Sequence, residues 1–317
     1  MMNIAIIGAG LAGLTAACEL TRAGHKTTVF DKSKGTGGRL SSRSYASGWI
    51  DHGAPYLTMI SGGMESYLRK SPAASKIVSW SPQFNGCPNA DEKSQLIGVP
   101  RNSAITRGLL EGIRFQPSTR IGRLERTTSG WRLFNDGESL LGCWDDVIIA
   151  IPSPQALALL REWPAIAGRI TKAQMEPCWV AAIHCNAPLP GLVDVNIYEH
   201  PVVRRITRNS AKDERNNSDV YVVQAQRDWS QKNLEKTGDL VGATLLQQFV
   251  ELTDGDCTPE LLFVHRWRYA FTKDPLGEAC LWDENLRLGV CGDWCLGRTA
   301  EHAWESGMAL AQRIIAE

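Results

Sequence analysis

Three glycines directly follow a short apolar segment at the start of this chain. Asn3 to Ile7 is typical of a buried strand, and Gly8, Gly10 and Gly13 come next at the G-x-G-x-x-G spacing. The first glycine permits a tight turn, the second leaves the backbone bare for a phosphate, and the third lets a helix lie close to the strand. A helix that begins here offers unpaired N–H groups and its positive dipole end to an anion. The pattern therefore predicts a pyrophosphate site.

An acidic residue completes the same unit. Asp31 ends a second apolar strand, about twenty residues after the glycines, the separation expected for an acid that contacts a ribose. A carboxylate at this place accepts hydrogen bonds from ribose hydroxyls and repels a 2′-phosphate. The order strand, glycines, helix, strand and acid predicts an adenine dinucleotide, and it favours FAD or NAD over NADP.

Two further segments favour FAD over NAD. Gly38 and Arg39 offer a bare backbone and a guanidinium for a second contact near the pyrophosphate. Gly292 and Asp293 follow a predicted strand over 286–291, where a carboxylate can bind ribityl hydroxyls and the next helix can face the flavin carbonyls. The alternatives are a solvated arginine and a helix-capping aspartate without a cofactor.

Composition limits the remaining choices. The 317 residues are enough for two domains, and 34 basic and 34 acidic side chains give no net charge to attract nucleic acid or an anionic membrane. No apolar run is long enough to cross a membrane. The first strand begins almost at once, so we expect no targeting segment and a cytoplasmic location. Cys291 and Cys295 have no second pair to complete a zinc site, so we expect no metal.

Hydrophobic patterning predicts an α/β chain with a discontinuous cofactor domain. Three later segments are expected to pack with the first strand-helix-strand unit: the apolar run 146–150, a strand over 286–291 and a helix over 300–316. A separate mixed sheet is expected from strands near 180–184, 220–226 and 261–269. We predict an FAD-binding Rossmann-like domain over 1–75, 98–155 and 285–317, and a mixed-sheet substrate domain over 76–97 and 156–284. The polar run 208–219 predicts a mobile surface loop.

The order of these motifs resembles that of the flavin-containing amine oxidase superfamily. Segments near 51–56, 98–107, 229–235, 267–270 and 289–294 are similar to those of bacterial renalase-type proteins. The resemblance implies a p-hydroxybenzoate-hydroxylase-like two-domain fold with non-covalent FAD. It also implies an oxidase that takes hydride from a reduced nicotinamide isomer, a dihydro-NAD(P), at flavin N5 and passes it to dioxygen to give hydrogen peroxide.

The resemblance also implies where the cofactor lies. The pyrophosphate is expected at the glycine-rich turn 8–13 and at residues 38–39, the adenosine ribose at Asp31, the isoalloxazine beside 53–56 and the ribityl chain at 292–293. The full set of expected cofactor-binding residues is Gly8, Gly10, Leu11, Ala12, Gly13, Asp31, Lys32, Gly38, Arg39, Gly53, Ala54, Pro55, Tyr56, Gly292, Asp293 and Glu301. No side chain is assigned to catalysis, because the flavin itself accepts the hydride. One departure is His302, where relatives carry glycine; it either contacts the pyrimidine end of the flavin or faces solvent.

Substrate contacts are expected from the second domain. Trp267 and Tyr269 are candidates for an aromatic wall, with membership of the core as the alternative. His184 and His265 are predicted to be core residues rather than bases. Rival functions are an amine oxidase or desaturase-like enzyme acting on a small amine or apolar substrate, a non-catalytic FAD-binding module, and an NAD-only dehydrogenase.

Overall fold

A computed structural model describes residues 1–46, 48–86, 95–215, 219–253 and 257–317. The helices are α1 Leu11–Arg22, α2 Gly63–Lys70, α3 Ser103–Gly108, α4 Ser153–Leu159, α5 Pro164–Ile170, α6 Arg227–Lys232, α7 Gly238–Thr253 and α8 Ala300–Ile315. The strands are β1 Asn3–Ile7, β2 Lys26–Phe30, β3 Ser42–Tyr45, β4 Gly48–Asp51, β5 Leu57–Thr58, β6 Ile77–Trp80, β7 Phe84–Asn85, β8 Gln95–Gly98, β9 Arg114–Gln116, β10 Ile121–Thr127, β11 Gly130–Asn135, β12 Leu140–Trp144, β13 Asp146–Ile149, β14 Gln174–Cys185, β15 Val195–Ile197, β16 Val203–Arg208, β17 Asp219–Ala225, β18 Glu260–Asp274, β19 Leu281–Asp283 and β20 Leu288–Val290.

The first sheet is the expected dinucleotide-binding layer. Its order is β19-β20-β13-β1-β2-β9, and β1 pairs in parallel with both β2 and β13. The central strands are apolar on both faces, as parallel strands covered on both sides must be. Helices α1 and α8 cover one face, and the meander β10-β11-β12 with α4 and α5 covers the other. This arrangement confirms the predicted α/β fold class.

The end of the chain returns to its beginning. Strand β20 pairs with β13 in the first sheet, and α8 packs against α1. Close packing at this contact depends on Gly307, where an added Cβ would lie 2.2 Å from the carbonyl oxygen of Ala12. The strand β19 also belongs to this sheet, just before the predicted boundary at 285. The domain boundaries themselves stay a prediction.

The second sheet has the order β18-β14-β17-β16-β15-β7. Its side chains alternate between two apolar layers. One face packs on α7, and the opposite face packs against Ile50 of β4. The second sheet therefore presents one face to the segment that follows β4. The sequence pattern did not predict several short elements, among them β3 to β8, α2, α4 and α5, because two to eight residues carry little periodicity.

The polar run 208–219 differs from the predicted mobile surface loop. Asn209, Lys212 and Arg215 are buried, with exposed fractions of 0%, 4% and 9%. Their polar groups are satisfied inside the protein by partners from β4, so the surface-loop prediction is wrong for these residues. Residues 216–218 of the run lie outside the described part of the chain.

In the described ranges, no helix is both long enough and apolar enough to span a bilayer.

Candidate functional site

The turn between β1 and α1 has the geometry of an anion cradle. Gly8 adopts a φ of +114°, and a Cβ there would lie 2.4 Å from the carbonyl oxygen of Ala150. Gly10 is the N-cap residue of α1, and a Cβ added to it meets no protein atom within 4 Å. The space in front of the helix N-terminus is thus open, while the backbone behind it is tightly packed. These features fit a pyrophosphate bound to the first N–H groups of α1.

Asp31 is connected directly to this turn. Its carboxylate accepts hydrogen bonds from the backbone N–H groups of Ala9 and Ser33, each at 2.8 Å. The acid therefore lies at the end of β2 beside the glycines, as predicted. The next residue, Lys32, is largely exposed, but partial desolvation of its amine, together with nearby Arg120, lowers its pKa. Leu11, Ala12 and Gly13 form the first turn of α1, and their expected cofactor contacts stay a prediction.

The second glycine cluster meets the C-terminal Asp293. Arg39 Nη1 donates to Asp293 Oδ2 at 2.6 Å, Nη2 donates to the other carboxylate oxygen, and the pair is separated by 254 positions in sequence. Thr272 adds a hydrogen bond of 3.1 Å to Asp293 Oδ2. Asp293 is 4% exposed and does not cap α8, which is capped by Thr299. Arg39 is therefore partly buried in an ion pair and the Asp293 side chain does not cap α8, while the cofactor contacts of both residues stay a prediction.

The segment 53–56 lies against Arg39. A Cβ at Gly53 would lie 2.0 Å from the carbonyl oxygen of Arg39, and the N–H of Ala54 donates to that oxygen at 2.8 Å. Asn102 donates to the carbonyl oxygens of Ala54 and Pro55 at 2.8 and 3.0 Å. Only a residue without a side chain permits this approach at position 53. The predicted cofactor residues 38–39, 53–56 and 292–293 are therefore brought together.

A buried ion cluster lies immediately before this segment. Asp51 is fully buried, and its Oδ2 accepts from Lys212 at 2.9 Å and from Arg215 at 2.7 Å. Burial alone would raise the pKa of Asp51, but the two cations and a hydrogen bond from Ser42 lower it to about 2. Burial lowers the pKa of Lys212 to about 8, against the opposing effect of Asp51. Sequence reasoning missed this cluster, and no local pattern connects its members.

Trp267 contacts the same segment from the second sheet. Its indole N–H donates to the carbonyl oxygen of His52 at 2.9 Å, and its ring stacks on the His52 ring at 5.5 Å and 18°. His265 lies 4.3 Å from Trp267, ring centroid to ring centroid. Trp267 and Tyr269 are both half-buried. Trp267 thus packs both against His52 and against the apolar cluster on this face of the second sheet, and the substrate contacts of Trp267 and Tyr269 stay a prediction.

Two residues at the start of α8 form hydrogen bonds with neighbouring segments of the protein. Glu301 is buried and accepts from the backbone N–H groups of Ile60 and Ser61 at 2.6 and 3.1 Å. His302 Nδ1 lies 2.9 Å from Thr299 Oγ1 and completes a capping box at the helix N-terminus. The Nδ1 atom of His302 therefore belongs to the helix cap, and whether the ring contacts the flavin or faces solvent stays a prediction. The cofactor contact predicted for Glu301 stays a prediction.

The stability of the protein should fall on mild acidification because of His52. Burial, then the neighbouring His265, lowers the pKa of His52 to about 4 from 6.5. His52 is therefore protonated below about pH 6.5 in the unfolded chain but only below about pH 4 in the folded protein. The free energy of unfolding should decline over this window, by up to about 1.4 kcal/mol per pH unit. Urea titrations of wild type and His52→Gln test this: the variant should have a flatter pH profile, and an unchanged slope would contradict it.

Comparison with known proteins agrees with the fold. Residues 6–70 match the family described as NAD(P)-binding Rossmann-like domain. A structure from Exiguobacterium, described as a protoporphyrinogen oxidase, superposes with a TM-score of 0.76 at 12% identity over 99% of this chain and 98% of that one. Putrescine oxidase with bound putrescine superposes with a TM-score of 0.72, again at 12% identity, over 100% and 99% of the two chains.

Sequence similarity to curated proteins covers only part of this chain. A protein of Synechococcus elongatus described as a zeta-carotene desaturase is 41% identical over 58 residues, which are 18% of this chain and 11% of that protein. The chain spans only about a tenth of the length of that curated relative. At these identities the structural likeness shows the fold alone, a Rossmann-like α/β architecture that this chain shares with the two superposed structures.

Proposed function

We propose that this protein is an FAD-dependent oxidoreductase that binds its flavin non-covalently. The observation that carries the proposal is the meeting of three glycine-containing segments at the Arg39–Asp293 ion pair. A dinucleotide bound only at the β1–α1 turn would not account for the buried carboxylate of Asp293 beside Arg39. FAD would account for it, because its ribityl chain lies between the pyrophosphate and the ring and needs hydrogen-bonding partners there.

Each segment has a distinct part in this proposal. The α1 N-terminus at Gly10 would hold the pyrophosphate, Asp31 the adenosine ribose, and Asp293 the ribityl hydroxyls, with residues 53–56 beside the isoalloxazine. When bound, FAD would supply hydride acceptance at N5 and transfer to dioxygen. Cys280 is half-buried, and burial raises the pKa of its thiol, which opposes the thiolate that a covalent flavin bond would need.

For the substrate we propose a dihydronicotinamide isomer of NAD(P), as the resemblance to renalase-type proteins suggests. A flat aromatic wall at Trp267 beside 52–53 supports a planar donor held by stacking. Oxidation of a small amine or an apolar compound is the second candidate, and the shared fold with putrescine oxidase over the whole chain favours it about as well. Donor oxidation would give hydrogen peroxide in both cases.

An absorption spectrum followed by anaerobic reduction tests the proposal. The purified protein, supplied with FAD, should show a flavin spectrum, and denaturation should release the flavin into the supernatant. Bleaching by reduced nicotinamide isomers, but not by putrescine, supports the first candidate; the reverse supports the second. A protein that stays colourless with FAD contradicts the proposal and points to an NAD-only site. A flavoprotein that none of these donors bleaches contradicts catalysis and supports a binding module.

Replacing Asp293 by Asn should weaken FAD binding without preventing folding. The amide keeps the size of the side chain but removes the charge that pairs with Arg39, and a charge-assisted hydrogen bond is worth about 1.5–3 kcal/mol. The dissociation constant of FAD, measured by fluorescence quenching, should rise about 10- to 100-fold. Asp136→Asn, at an exposed pair 3.9 Å from Arg120, is the control and should leave it unchanged. Equal affinities of Asp293→Asn and wild type would exclude this role.

A further inference from the structure

Strand β16 places two consecutive arginines on one face of the second sheet. Strand side chains normally alternate between faces. Here the pairing with β17 shifts from Val203↔Ala225 to Arg205↔Gln224, so Arg204 is the extra residue of a β-bulge. Bulges re-aim a side chain and are common beside active sites. Both guanidinium groups consequently lie over aromatic rings.

The face that carries them is the one that meets the proposed flavin segment. The guanidinium of Arg205 lies 5.3 Å from the ring centroid of Tyr56, and that of Arg204 lies 5.1 Å from Phe271. Gln224, opposite Arg205, donates to the carbonyl oxygen of Gly53 at 3.2 Å. The two arginines are therefore next to residues 53–56, beyond the ring end of the proposed cofactor site. The pyrophosphate cradle is a different place, at the N-terminus of α1.

Neither arginine has an acidic partner. Among the described residues, the neighbouring Arg208 and Arg227 form ion pairs with Asp219 and Glu176, but no carboxylate lies within 4.0 Å of Arg204 or Arg205. Burial, with the charge of Arg205 next to it, lowers the pKa of Arg204 to about 10. Burying a cation without a counter-charge is unfavourable, so an anion at this place would stabilise the pair.

Further polar atoms on the same face are buried and unsatisfied. They are Arg205 Nε, Gln224 Oε1 and Thr207 Oγ1. Thr207 pairs with Val222 across the sheet and so shares the face of Arg205 and Gln224. Buried polar atoms without partners are rare, and here they cluster around two unpaired cations. This combination is typical of a site whose partner is a bound molecule.

We propose that Arg204 and Arg205 form a subsite for an anionic group of the substrate, a carboxylate or a phosphate. This inference rests on the proposed function and deepens it, since it specifies the charge of the donor. Two guanidinium groups without acids repel a protonated alkylamine such as putrescine and attract a nucleotide or an aromatic acid. The subsite thereby favours the dihydronicotinamide candidate over the amine candidate.

Isothermal titration of the purified protein, with and without FAD, tests the subsite. Benzoate, its neutral isostere benzamide, benzylamine and inorganic pyrophosphate are the probes. We expect benzoate or pyrophosphate to bind at least about tenfold more tightly than benzamide, and benzylamine not to bind. In the FAD-loaded protein, where the cradle at α1 is filled, binding of benzoate alone identifies a carboxylate subsite and binding of pyrophosphate alone a phosphate subsite. Equal binding of benzoate, benzamide and benzylamine, or no binding of either anion, overturns the proposal.

Variants separate this subsite from a structural role. Arg204→Gln with Arg205→Gln should lower the affinity for the bound anion at least about tenfold and leave the FAD dissociation constant unchanged. Arg266→Gln, on the opposite face over Trp179, is the matched control and should bind the anion like wild type. Neither cation has an acidic partner, so the double variant should lose only the small stability that the two ring contacts contribute. Unchanged anion affinity contradicts the subsite; failure of wild type to bind FAD contradicts the proposed function alone.

Discussion

Replacing Asp51 by Asn is expected to lower the free energy of unfolding by about 3–5 kcal/mol, the cost of leaving buried cations without their counter-charge. Lys212 and Arg215 both pair with Asp51, and the side chains of all three are at most 1% exposed. An asparagine keeps the shape of the side chain but leaves two buried cations facing a neutral amide. Chemical denaturation followed by circular dichroism measures the loss.

Asp219→Asn is the matched control for Asp51→Asn. Asp219 pairs with Arg208 at 2.7 Å, but the two side chains are 14% and 32% exposed, so solvent screens the pair. Its loss should cost at most about 1 kcal/mol. An effect of Asp51→Asn as small as that of this control would contradict the stabilising role of the ion cluster that joins β4 to residues 212–215.

The same carboxylate predicts a second loss of stability, at low pH. The pKa of Asp51 is about 2 in the folded protein against an ordinary 3.8, so its stabilising effect is complete above about pH 4. The effect disappears as the pH falls through 2. This window lies below that of His52. Denaturation profiles of Asp51→Asn should therefore lack the steeper loss that wild type shows below pH 4.

Replacing Gly10 by Val is expected to abolish most FAD binding while the apoprotein stays folded. A Cβ at Gly10 meets no protein atom within 4 Å, so the new side chain would project into the space where the pyrophosphate is proposed to lie. The dissociation constant of FAD should rise at least about 100-fold. The unfolding free energy of the apoprotein should fall by only about 1 kcal/mol, since valine is a poorer N-cap than glycine.

Gly13→Val provides the contrast. A Cβ at Gly13 would lie 2.2 Å from the carbonyl oxygen of Gly8, so this variant should lose stability as well as FAD binding. Both quantities can be measured in one thermal shift experiment with and without added FAD. Wild-type FAD affinity in Gly10→Val would place the pyrophosphate elsewhere. A strongly destabilised Gly10→Val apoprotein would show that the space at this helix N-terminus is not open.

The sequence predicted those parts of the site that depend on residues close together in the chain. The turn at Gly8, the acid Asp31 and the apolar strands of the first sheet are local patterns, and backbone geometry together with the need to bury apolar side chains allows each of them few conformations. The return of β20 and α8 to the first sheet was also predicted, because a buried parallel strand followed by a helix has few other places to lie. The bulged register at Arg204 was not, since alternation predicts that adjacent strand residues face opposite ways.

The sequence by itself therefore determined the fold class and the dinucleotide turn, both of which follow from backbone geometry and hydrophobic period. Only the tertiary structure decided which charges are paired. Asp51 meets Lys212 and Arg215 across 161 and 164 positions, Arg39 meets Asp293 across 254, and Arg204 and Arg205 meet no acid in the described residues. The physical reason is that the strength of an ion pair depends on the distance between the charges and on their burial, and the local sequence pattern predicts neither quantity.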